Sequence, residues 1–230
     1  MRSKVTLVSK KRETEDAASY IFRGEPPFTW QAGQLLRYTL PHDHPDDRKT
    51  TRYFTIASAP FERVVMLTTR FAGERGSSFK RALQDMPVGG VSEAEGPSGD
   101  FVIEVPGAEH VFIAGGIGIT PYRAILLDQD YRGVPINVTL LYANRTPDFV
   151  YKRELERLAE KHPRFMVHYF VAPDRVTEES IRTRVSDLQK PIFYLSGPEP
   201  MVEAFEQMLA GMGIPDTHIR RDYFPGYDWP

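Results

Sequence analysis

The sequence predicts two domains of different fold class, an antiparallel β domain followed by a parallel α/β domain. Up to about residue 106, short runs of β-branched and aromatic residues are separated by clusters of glycine, proline and aspartate. Beyond that point, apolar strands alternate with amphipathic helical segments. The 230 residues are enough for two domains of about 110 residues each. We therefore expect one domain over 1–106 and a second over 107–230.

Five runs in the first domain predict strands. They are "KVTLVSK" at 4–10, "QLLRYTL" at 34–40, "RYFTIAS" at 52–58, "VVMLTTRF" at 64–71 and "FVIEV" at 101–105. Short strands with frequent turn signals between them are typical of an antiparallel barrel or sandwich. One helix is predicted inside this domain, at 78–84.

The second domain is predicted to contain five strands and four helices in alternation. The strands fall at 110–116, 136–144, 165–172, 192–197 and near 219–223, and the helices at 121–129, 150–161, 178–188 and 200–213. Most of these strands are continuously apolar, which is typical of a parallel sheet with helices on both faces. The pattern predicts a five-stranded, doubly wound parallel sheet.

Composition excludes several classes of function. A formal net charge of −2 disfavours a dedicated nucleic-acid binder. The sequence contains no cysteine, which excludes disulfides, thiolate nucleophiles and cysteine-held iron–sulfur clusters. No apolar run approaches the roughly 20 residues of a membrane span, and the N-terminal segment lacks a signal-peptide core. We expect a cytoplasmic protein.

The segment "HDHPDD" at 42–47 has the residue types of a metal site. It is also rich in turn-forming residues and lies between two predicted strands, so we interpret it as a polar loop. We predict no metal site in this chain.

The segment "AGGIGITP" at 114–121 leaves the first strand of the parallel sheet. Its glycines, Gly115, Gly116 and Gly118, allow positive φ angles and a close backbone approach to a ligand. Thr120 is predicted to cap the next helix and Pro121 to occupy its first position, which leaves bare amides for a pyrophosphate. The usual dinucleotide fingerprint is absent, because Pro121 replaces its third glycine and the second strand ends in Asn144 and Arg145 instead of a carboxylate.

Six segments, taken in chain order, together resemble one known family. They are "RYFT" at 52–55, "GSS" at 76–78, "GPSGDF" at 96–101, "AGGIGITP" at 114–121, "YLSGPEPM" at 194–201 and "RDYFPGY" at 221–227. The chain resembles the ferredoxin–NADP reductase superfamily over nearly its full length, in a stand-alone two-domain form without an iron–sulfur domain. The resemblance implies a six-stranded antiparallel FAD-binding barrel followed by an NAD(P)-binding domain.

The resemblance also implies which residues bind the flavin. They are Arg52, Tyr53, Phe54, Thr55, Arg70, Gly76, Ser77, Ser78 and Phe224. Arg52 suits the FAD pyrophosphate because guanidinium binds phosphate as a bidentate fork. Phe54 would pack on the isoalloxazine ring, and Thr55 would hydrogen-bond its N5 or O4 edge. Each also has a purely structural interpretation: a surface ion pair for Arg52, a core ring for Phe54 and a strand-favouring residue for Thr55.

The nicotinamide side would use residues at the carboxyl ends of the parallel strands. They are Gly115, Gly116, Gly118, Thr120, Pro121, Asn144, Arg145, Ser196, Gly197, Pro198 and Met201. The predicted catalytic residues are Thr55, Ser196 and Asp222, with Asp222 relaying a proton or orienting Ser196.

Three of these positions depart from the family's usual residues. Phe54 replaces a tyrosine, Ser196 a cysteine and Asp222 a glutamate. Phe54 can stack on a flavin but offers no phenol hydrogen bond.

The choice between NADH and NADPH is nearly balanced. Asp174 would repel a 2′-phosphate, whereas Arg175 and Arg182 would attract one. The segment "YANRTPD" at 142–148 is similar to that of NADH-using nitrate reductases. We write NAD(P)H, with a slight preference for NADH.

The expected function is an FAD-dependent NAD(P)H oxidoreductase that passes hydride to flavin N5 and then electrons to a protein acceptor. That acceptor would be ferredoxin, flavodoxin or a partner redox domain, and we expect a monomer that binds no nucleic acid. One alternative is a reductase of free flavin or ferric complexes, and another is a non-autonomous electron-transfer subunit. The acceptor, the direction of electron flow and the role of Tyr227 and Trp229 are left open by the sequence.

Overall fold

The computed structural model of the protein describes residues 2–71 and 76–224, apart from the side chain of Phe224. The chain divides into two compact units. The first comprises Met1–Val102 with Arg123–Asp128, and the second Ile103–Tyr122 with Gln129–Pro230. The predicted boundary between residues 106 and 107 stays a prediction.

The first unit contains a six-stranded antiparallel sheet. Its strands are β1 (Arg2–Arg12), β2 (Ala17–Glu25), β3 (Leu35–Thr39), β4 (Thr51–Thr55), β5 (Val65–Arg70) and β6 (Val91–Ser98). Their order in the sheet is β4-β3-β6-β1-β2-β5. The sheet curls into a half-barrel, since the amide of Ala57, just after β4, donates to the carbonyl of Met66 in β5 at 2.8 Å. The predicted antiparallel fold is confirmed.

Alternating side chains of these strands fill the inside of the curl. In β1, Val5 and Leu7 are buried while Lys4 is exposed, as the two-residue period of a strand requires. Helix α1 (Ser78–Asp85) adds Phe79 and Leu83 to the same core. Its bounds agree with the helix predicted at 78–84.

One predicted strand of the first unit is wrong. Residues 101–105 form no strand, and the sixth strand is β6, which pairs with both β1 and β3. Only the small side chains Ser92 and Ala94 of β6 point into the core, so its segment lacks the apolar run that marks a strand in sequence. Strand β2 also escaped the list of predicted runs.

The second unit contains a five-stranded parallel sheet. Its strands are β7 (His110–Gly115), β8 (Val138–Asn144), β9 (Phe165–Val171), β10 (Ile192–Pro198) and β11 (Ile219–Phe224). Its helices are α2 (Thr120–Tyr131), α3 (Lys152–Lys161), α4 (Glu178–Arg182) and α5 (Glu199–Gly211). The strand order is β11-β10-β7-β8-β9, and every adjacent pair is parallel. The predicted doubly wound sheet is confirmed.

Helix α4 is shorter than the helix predicted at 178–188. It starts with a capping box, in which the Thr177 side chain accepts from the amide of Ser180, and ends at Arg182. The following Thr183, Val185 and Asp187 are weak helix formers, which explains the early end.

The strand order fixes where a ligand can meet the second sheet. Strand β7 lies in the centre, and the chain continues from it to β8 on one side but reaches β10 on the other. In such sheets the crevice at the carboxyl ends of these central strands is the usual ligand site. Ala114 of β7 lies opposite Ser196 of β10, so the glycine segment and the end of β10 are neighbours.

The described residues contain neither a membrane-spanning helix nor a cluster of metal-ligating side chains. None of the helices within 2–71 and 76–224 is long and apolar enough to cross a bilayer. In the same residues, no group of three or more His, Asp or Glu side chains is arranged to hold a metal ion.

Candidate functional site

Arg52 is a buried cation on the inner face of β4, with only 5% of its surface exposed. Its Nη1 donates to the backbone carbonyls of Arg48, Lys49 and Thr51 at 2.5, 2.9 and 2.8 Å. Its Nη2 donates to Oδ1 of Asp46 at 2.5 Å. The loop before β4 therefore folds around the guanidinium and compensates its charge, as a buried cation requires.

Phe54 lies on the same face of β4 as Arg52, because the two are separated by one residue. Its half-buried ring lies 5.9 Å from the Tyr38 ring and 5.6 Å from the Phe79 ring. The guanidinium of Arg52 lies 5.7 Å from the same Phe79 ring. Tyr53 points to the opposite face and is 60% exposed, so the structure does not bring it together with the other three residues of the signature.

Thr55 is the last residue of β4 and is buried. After it the chain stays hydrogen-bonded, since the Ile56 amide donates to Gln34 at 2.9 Å and the Ala57 amide to Met66 at 2.8 Å. This end of the strand is therefore rigidly placed beside the ring of Phe54.

The start of α1 is already engaged by the loop at 42–47. Ser77 is the N-cap residue, and its hydroxyl accepts from the amide of Lys80. The Ser78 amide donates to Oδ2 of Asp46 at 2.9 Å, while the Ser78 hydroxyl accepts from the Asp46 amide at 2.9 Å. His42 Nε2 lies 2.9 Å from the same hydroxyl. The carbonyl of Gly76 accepts from Arg81.

The charge state of Asp46 follows from these contacts. Burial raises the pKa of its carboxyl, but hydrogen bonds from Ser78 and Arg52 outweigh burial and bring the pKa down to about 2. Asp46 is therefore fully ionised at neutral pH. Neither Asp46 nor His42 was predicted as a site residue, and turn-rich composition gives no signal for a contact 32 positions along the chain.

Arg70, at the end of β5, is tied to the turn between β1 and β2. Its Nη1 donates to Oδ2 of Asp16 at 2.5 Å, and its carbonyl accepts from Lys80 Nζ at 2.9 Å. Through Lys80 it contacts α1, so it lies near that helix.

In the second unit, the predicted glycines pack against the turn between β10 and α5. A Cβ on Gly118 would lie 2.1 Å from the carbonyl oxygen of Ser196, and one on Gly115 would lie 2.2 Å from the sulfur of Met201. A Cβ on Gly197 would lie 2.5 Å from Cε of the same methionine. The backbone contact requires glycine at 118, whereas at 115 and 197 the contact is with the flexible end of the Met201 side chain. Gly116 is needed for its φ of +53°.

The predicted capping role of Thr120 is wrong. A 3-10 turn over Gly116–Ile119 runs directly into α2, so the helical backbone begins five residues earlier than predicted. The Thr120 hydroxyl donates to the carbonyl of Ile117 at 3.1 Å instead of accepting from an amide. Pro121 is the second residue of α2. The bare amides predicted for a pyrophosphate therefore belong to the 3-10 turn.

Ser196 and Asp222 lie directly opposite each other on β10 and β11. The hydroxyl of the fully buried Ser196 donates to Oδ2 of Asp222 at 3.2 Å. Below them, the Tyr122 hydroxyl donates to the carbonyls of Tyr194 and Ile113 at 2.7 and 3.1 Å. Burial and then the charge of Asp222 raise the pKa of Tyr122, which stays a neutral donor. No local sequence pattern indicated this role of Tyr122.

The remaining predicted residues occupy separate places. Asn144 closes the turn after β8, with Nδ2 donating to the carbonyls of Thr146 and Asp148 at 2.9 and 3.0 Å, and Arg145 is exposed. Pro198 is the N-cap residue of α5, and Met201 is buried in its first turn. The side chain of Phe224 and residues 225–230, with Tyr227 and Trp229, lie outside the described residues.

Comparison with known proteins assigns the second unit to a family. Residues 112–207 match the family described as the oxidoreductase NAD-binding domain. The phenoxybenzoate dioxygenase subunit beta of Ectopseudomonas oleovorans is 30% identical over 90% of this chain and 60% of its own length. The glycine betaine monooxygenase reductase subunit of Chromohalobacter salexigens is 25% identical over 97% of this chain and 64% of its own length.

A solved structure extends the likeness to both units. The FAD/NAD-binding domain of the nitric oxide dioxygenase from Vibrio cholerae superposes with a TM-score of 0.84 and 19% identity, covering 97% of this chain and 98% of that one. Both units therefore have the fold expected from the resemblance to the ferredoxin–NADP reductase superfamily, and the match over residues 112–207 covers its NAD-binding half. The chain spans less than two thirds of the two relatives named above, 64% and 60% of their lengths.

The resemblance to this superfamily raises the question whether the first unit could hold a flavin nucleotide. Arg52 is buried on the side of β4 that carries Phe54, and its Nε has no hydrogen-bond partner among the described residues. A buried cation with an unused donor, beside the first amides of a helix, fits the phosphate end of a flavin nucleotide. The residues present therefore fit the superfamily's cofactor.

Proposed function

We propose that the chain is an FAD-dependent NAD(P)H oxidoreductase that delivers electrons to a protein redox partner. The observation that carries the proposal is the buried Arg52 side chain, which lies beside the start of α1 on the same strand face as Phe54. A structural arginine at a strand surface would not need burial or four backbone and carboxylate acceptors. The family match over residues 112–207 supports the nicotinamide half of the proposal.

On the flavin side, each residue has a separate task. A bound flavin supplies hydride acceptance and the release of single electrons. Arg52 and the Ser78 amide would bind its phosphate, the ring of Phe54 would pack on its isoalloxazine, and Thr55 would hydrogen-bond the edge of that ring. The rigid end of β4 would orient the ring for transfer.

On the nicotinamide side, the 3-10 turn Gly116–Ile119 would direct its amides toward the pyrophosphate. Asp222 accepts a hydrogen bond from the Ser196 hydroxyl, and this contact fixes the direction of that hydroxyl. Ser196 would then position the nicotinamide ring, and Asp222 acts through it. The neutral Tyr122 anchors α2 to β7 and β10 beneath both groups.

We propose NADH as the preferred nicotinamide. Of the two arginines suited to a 2′-phosphate, Arg182 is paired with Glu178, whose Oε1 lies 2.7 Å from its Nη2. Asp174, which directly precedes Arg175 in the sequence, adds a negative charge beside that arginine. Arg175 is left as the main counterion, which supports NADH over NADPH.

We propose that the acceptor is a ferredoxin, a flavodoxin or the redox domain of a partner. The names of two relatives support this choice, since one is a monooxygenase reductase subunit and the other a dioxygenase subunit. That the protein is a monomer in the cytoplasm stays a prediction. The chain could serve as one module of a longer reductase system, which is the electron-transfer-subunit alternative.

Steady-state assays of the FAD-loaded protein test the acceptor. With NADH in excess, we expect faster reduction of a ferredoxin or flavodoxin than of free FMN or ferric citrate. We also expect kcat/KM for NADH to exceed that for NADPH. Preferential reduction of free flavin or ferric citrate would establish the diffusible-acceptor alternative and overturn the proposed protein partner.

A further inference from the structure

The loop between β3 and β4 places a carboxylate at the position that the proposed function reserves for a phosphate. Oδ2 of Asp46 accepts the Ser78 amide, at the start of α1, at 2.9 Å, and Oδ1 accepts Arg52 Nη2 at 2.5 Å. A helix-terminal amide and a guanidinium are the two donor types that bind a nucleotide phosphate. Asp46 thus satisfies the flavin-phosphate donors from within the chain.

The charge and the surroundings of this carboxylate show how firmly it is held. Its pKa lies near 2, so it carries a full negative charge at any physiological pH. Oδ1 also accepts the Arg48 amide at 3.0 Å, and the Asp46 carbonyl accepts the Lys49 amide at 2.7 Å. These contacts join the carboxylate to the rest of the loop through hydrogen bonds.

His42 completes the attachment of this loop to α1. Its Nδ1 lies 2.7 Å from the Leu40 carbonyl, which can only accept, so Nδ1 carries the proton in the neutral ring. Nε2 is then an acceptor for the Ser78 hydroxyl at 2.9 Å. The loop therefore holds Ser78 through its amide and its hydroxyl, both near the expected phosphate.

A flavin phosphate and Asp46 cannot use these donors together, because two anions at hydrogen-bond distance from the same groups repel each other. The Asp46 side chain is 29% exposed and most of its loop lies at the surface, so outward displacement meets little packing. The buried Nε of Arg52 has no hydrogen-bond partner among the described residues, so one donor of this guanidinium is unused before any anion binds.

We propose that Asp46 is an internal anion that occupies the flavin-phosphate cradle, so that flavin nucleotides bind by exchange with it. The cradle is defined here as the Ser78 amide and the Arg52 guanidinium. Binding of the phosphate releases Asp46 and the loop at 42–50 from α1, and Asp46 thereby sets the affinity for phosphate-bearing flavins. This inference rests on the proposed function and deepens it.

Exchange and permanent positioning predict opposite effects of Asp46→Asn on flavin affinity. If Asp46 is displaced, Asp46→Asn removes a competing charge and tightens binding. If Asp46 stays and orients Arg52, the same substitution loosens binding. The neighbouring exposed Asp47 offers a matched control, since Asp47→Asn makes the same charge change in the same loop.

The test measures dissociation constants of FAD, FMN and riboflavin for the wild-type chain, Asp46→Asn and Asp47→Asn by flavin fluorescence. We expect Asp46→Asn to lower Kd at least tenfold for FAD and FMN and less than twofold for riboflavin, which has no phosphate. Asp47→Asn should change none of the three by more than twofold. An unchanged or raised Kd for FAD in Asp46→Asn, or an equal gain with riboflavin, would overturn exchange.

A second measurement needs no variant. Hydrogen exchange of the wild-type chain should show that the Asp46 and Lys49 amides lose protection on binding FAD or FMN but not riboflavin. Unchanged or increased protection with FAD would also overturn exchange. Failure of both wild type and Asp46→Asn to bind any flavin would defeat the proposed function itself, whereas binding by the wild type without these effects defeats only this inference.

Discussion

At the scale of single residues, the main feature of the first unit is one buried positive charge. Arg52 lies inside the curl of the sheet, where an uncompensated guanidinium would be strongly unfavourable. Three carbonyls and Asp46 compensate it, and Phe79 faces its flat side. Because the geometry depends on a planar fork with several donors, lysine cannot replace it.

Replacement of Arg52 should affect both folding and cofactor binding. Arg52→Ala strands the Asp46 carboxylate, so the free energy of unfolding should fall by about 3 kcal/mol, measured by urea denaturation. Flavin affinity of the folded fraction should fall by about 1.5–3 kcal/mol, since a charged hydrogen bond is lost. Arg52→Lys should restore little of either. The exposed Arg23→Ala is the control, and FAD affinity unchanged in Arg52→Ala would remove this residue from the site.

At the scale of elements, the end of β10 and the glycine segment after β7 form one closely packed unit. Gly115, Gly118 and Gly197 allow these two loops to pack at backbone distance, with Met201 filling the gap between them. The Ser196 hydroxyl is placed by this packing and by β11, which carries Asp222. Positioning of the nicotinamide site is therefore a property of strand order and not of any one loop.

Gly118→Ala should disrupt this packing. The added Cβ would meet the Ser196 carbonyl, a backbone atom, at 2.1 Å, so the two loops must separate. We expect a loss of about 2–3 kcal/mol in unfolding free energy, typical of an overpacked core. Gly211→Ala is the matched control, because that position in the last turn of α5 has open space and should be neutral or slightly stabilised. Equal stability of the two variants would contradict the backbone contact.

His110 at the start of β7 should make stability depend on pH. Burial lowers its pKa to about 4 from the ordinary 6.5, although a hydrogen bond with Ala108 opposes the shift. Between pH 4 and 6.5, His110 is therefore protonated in the unfolded chain and neutral in the folded state. Its contribution to stability is complete above pH 6.5 and falls by about 3 kcal/mol as the pH drops to 4.

Urea denaturation of His110→Phe across pH 4–7 measures this contribution. The variant should lack the part of the slope that wild type shows between pH 6.5 and 4, whereas His44→Gln, at an exposed position, should keep it. Identical slopes in wild type and His110→Phe would show that His110 takes up its proton equally in both states.

At the scale of the whole molecule, the fold class could be predicted from the sequence more completely than the candidate site. Strands β7, β8 and β10 are largely apolar and alternate with helices, a pattern that predicts a parallel sheet. Strand β6 could not be predicted in this way, because only the small side chains of Ser92 and Ala94 face inward. Segment order along the chain indicated the superfamily because its motifs are local in sequence.

The site could be predicted only where its parts are local. Arg52 and Phe54 share a strand, so their common face followed from the two-residue period. The contact between Asp46 and Ser78 depends on how a loop of turn-forming residues folds over a helix 32 positions away, which no local pattern records. Thr120 was misplaced because the 3-10 turn before α2 extends the helical backbone, a feature decided by packing against β10.

The measurement that tests the central claim most directly is anaerobic reduction of the FAD-loaded protein by NADH. We predict that the purified chain takes up FAD, turns yellow and loses its visible flavin absorbance on mixing with one equivalent of NADH. Ser196→Ala should bind the same FAD but bleach at least tenfold more slowly, because the hydroxyl oriented by Asp222 is gone. A chain that takes up no FAD, or whose FAD colour persists with both NADH and NADPH, would contradict the account.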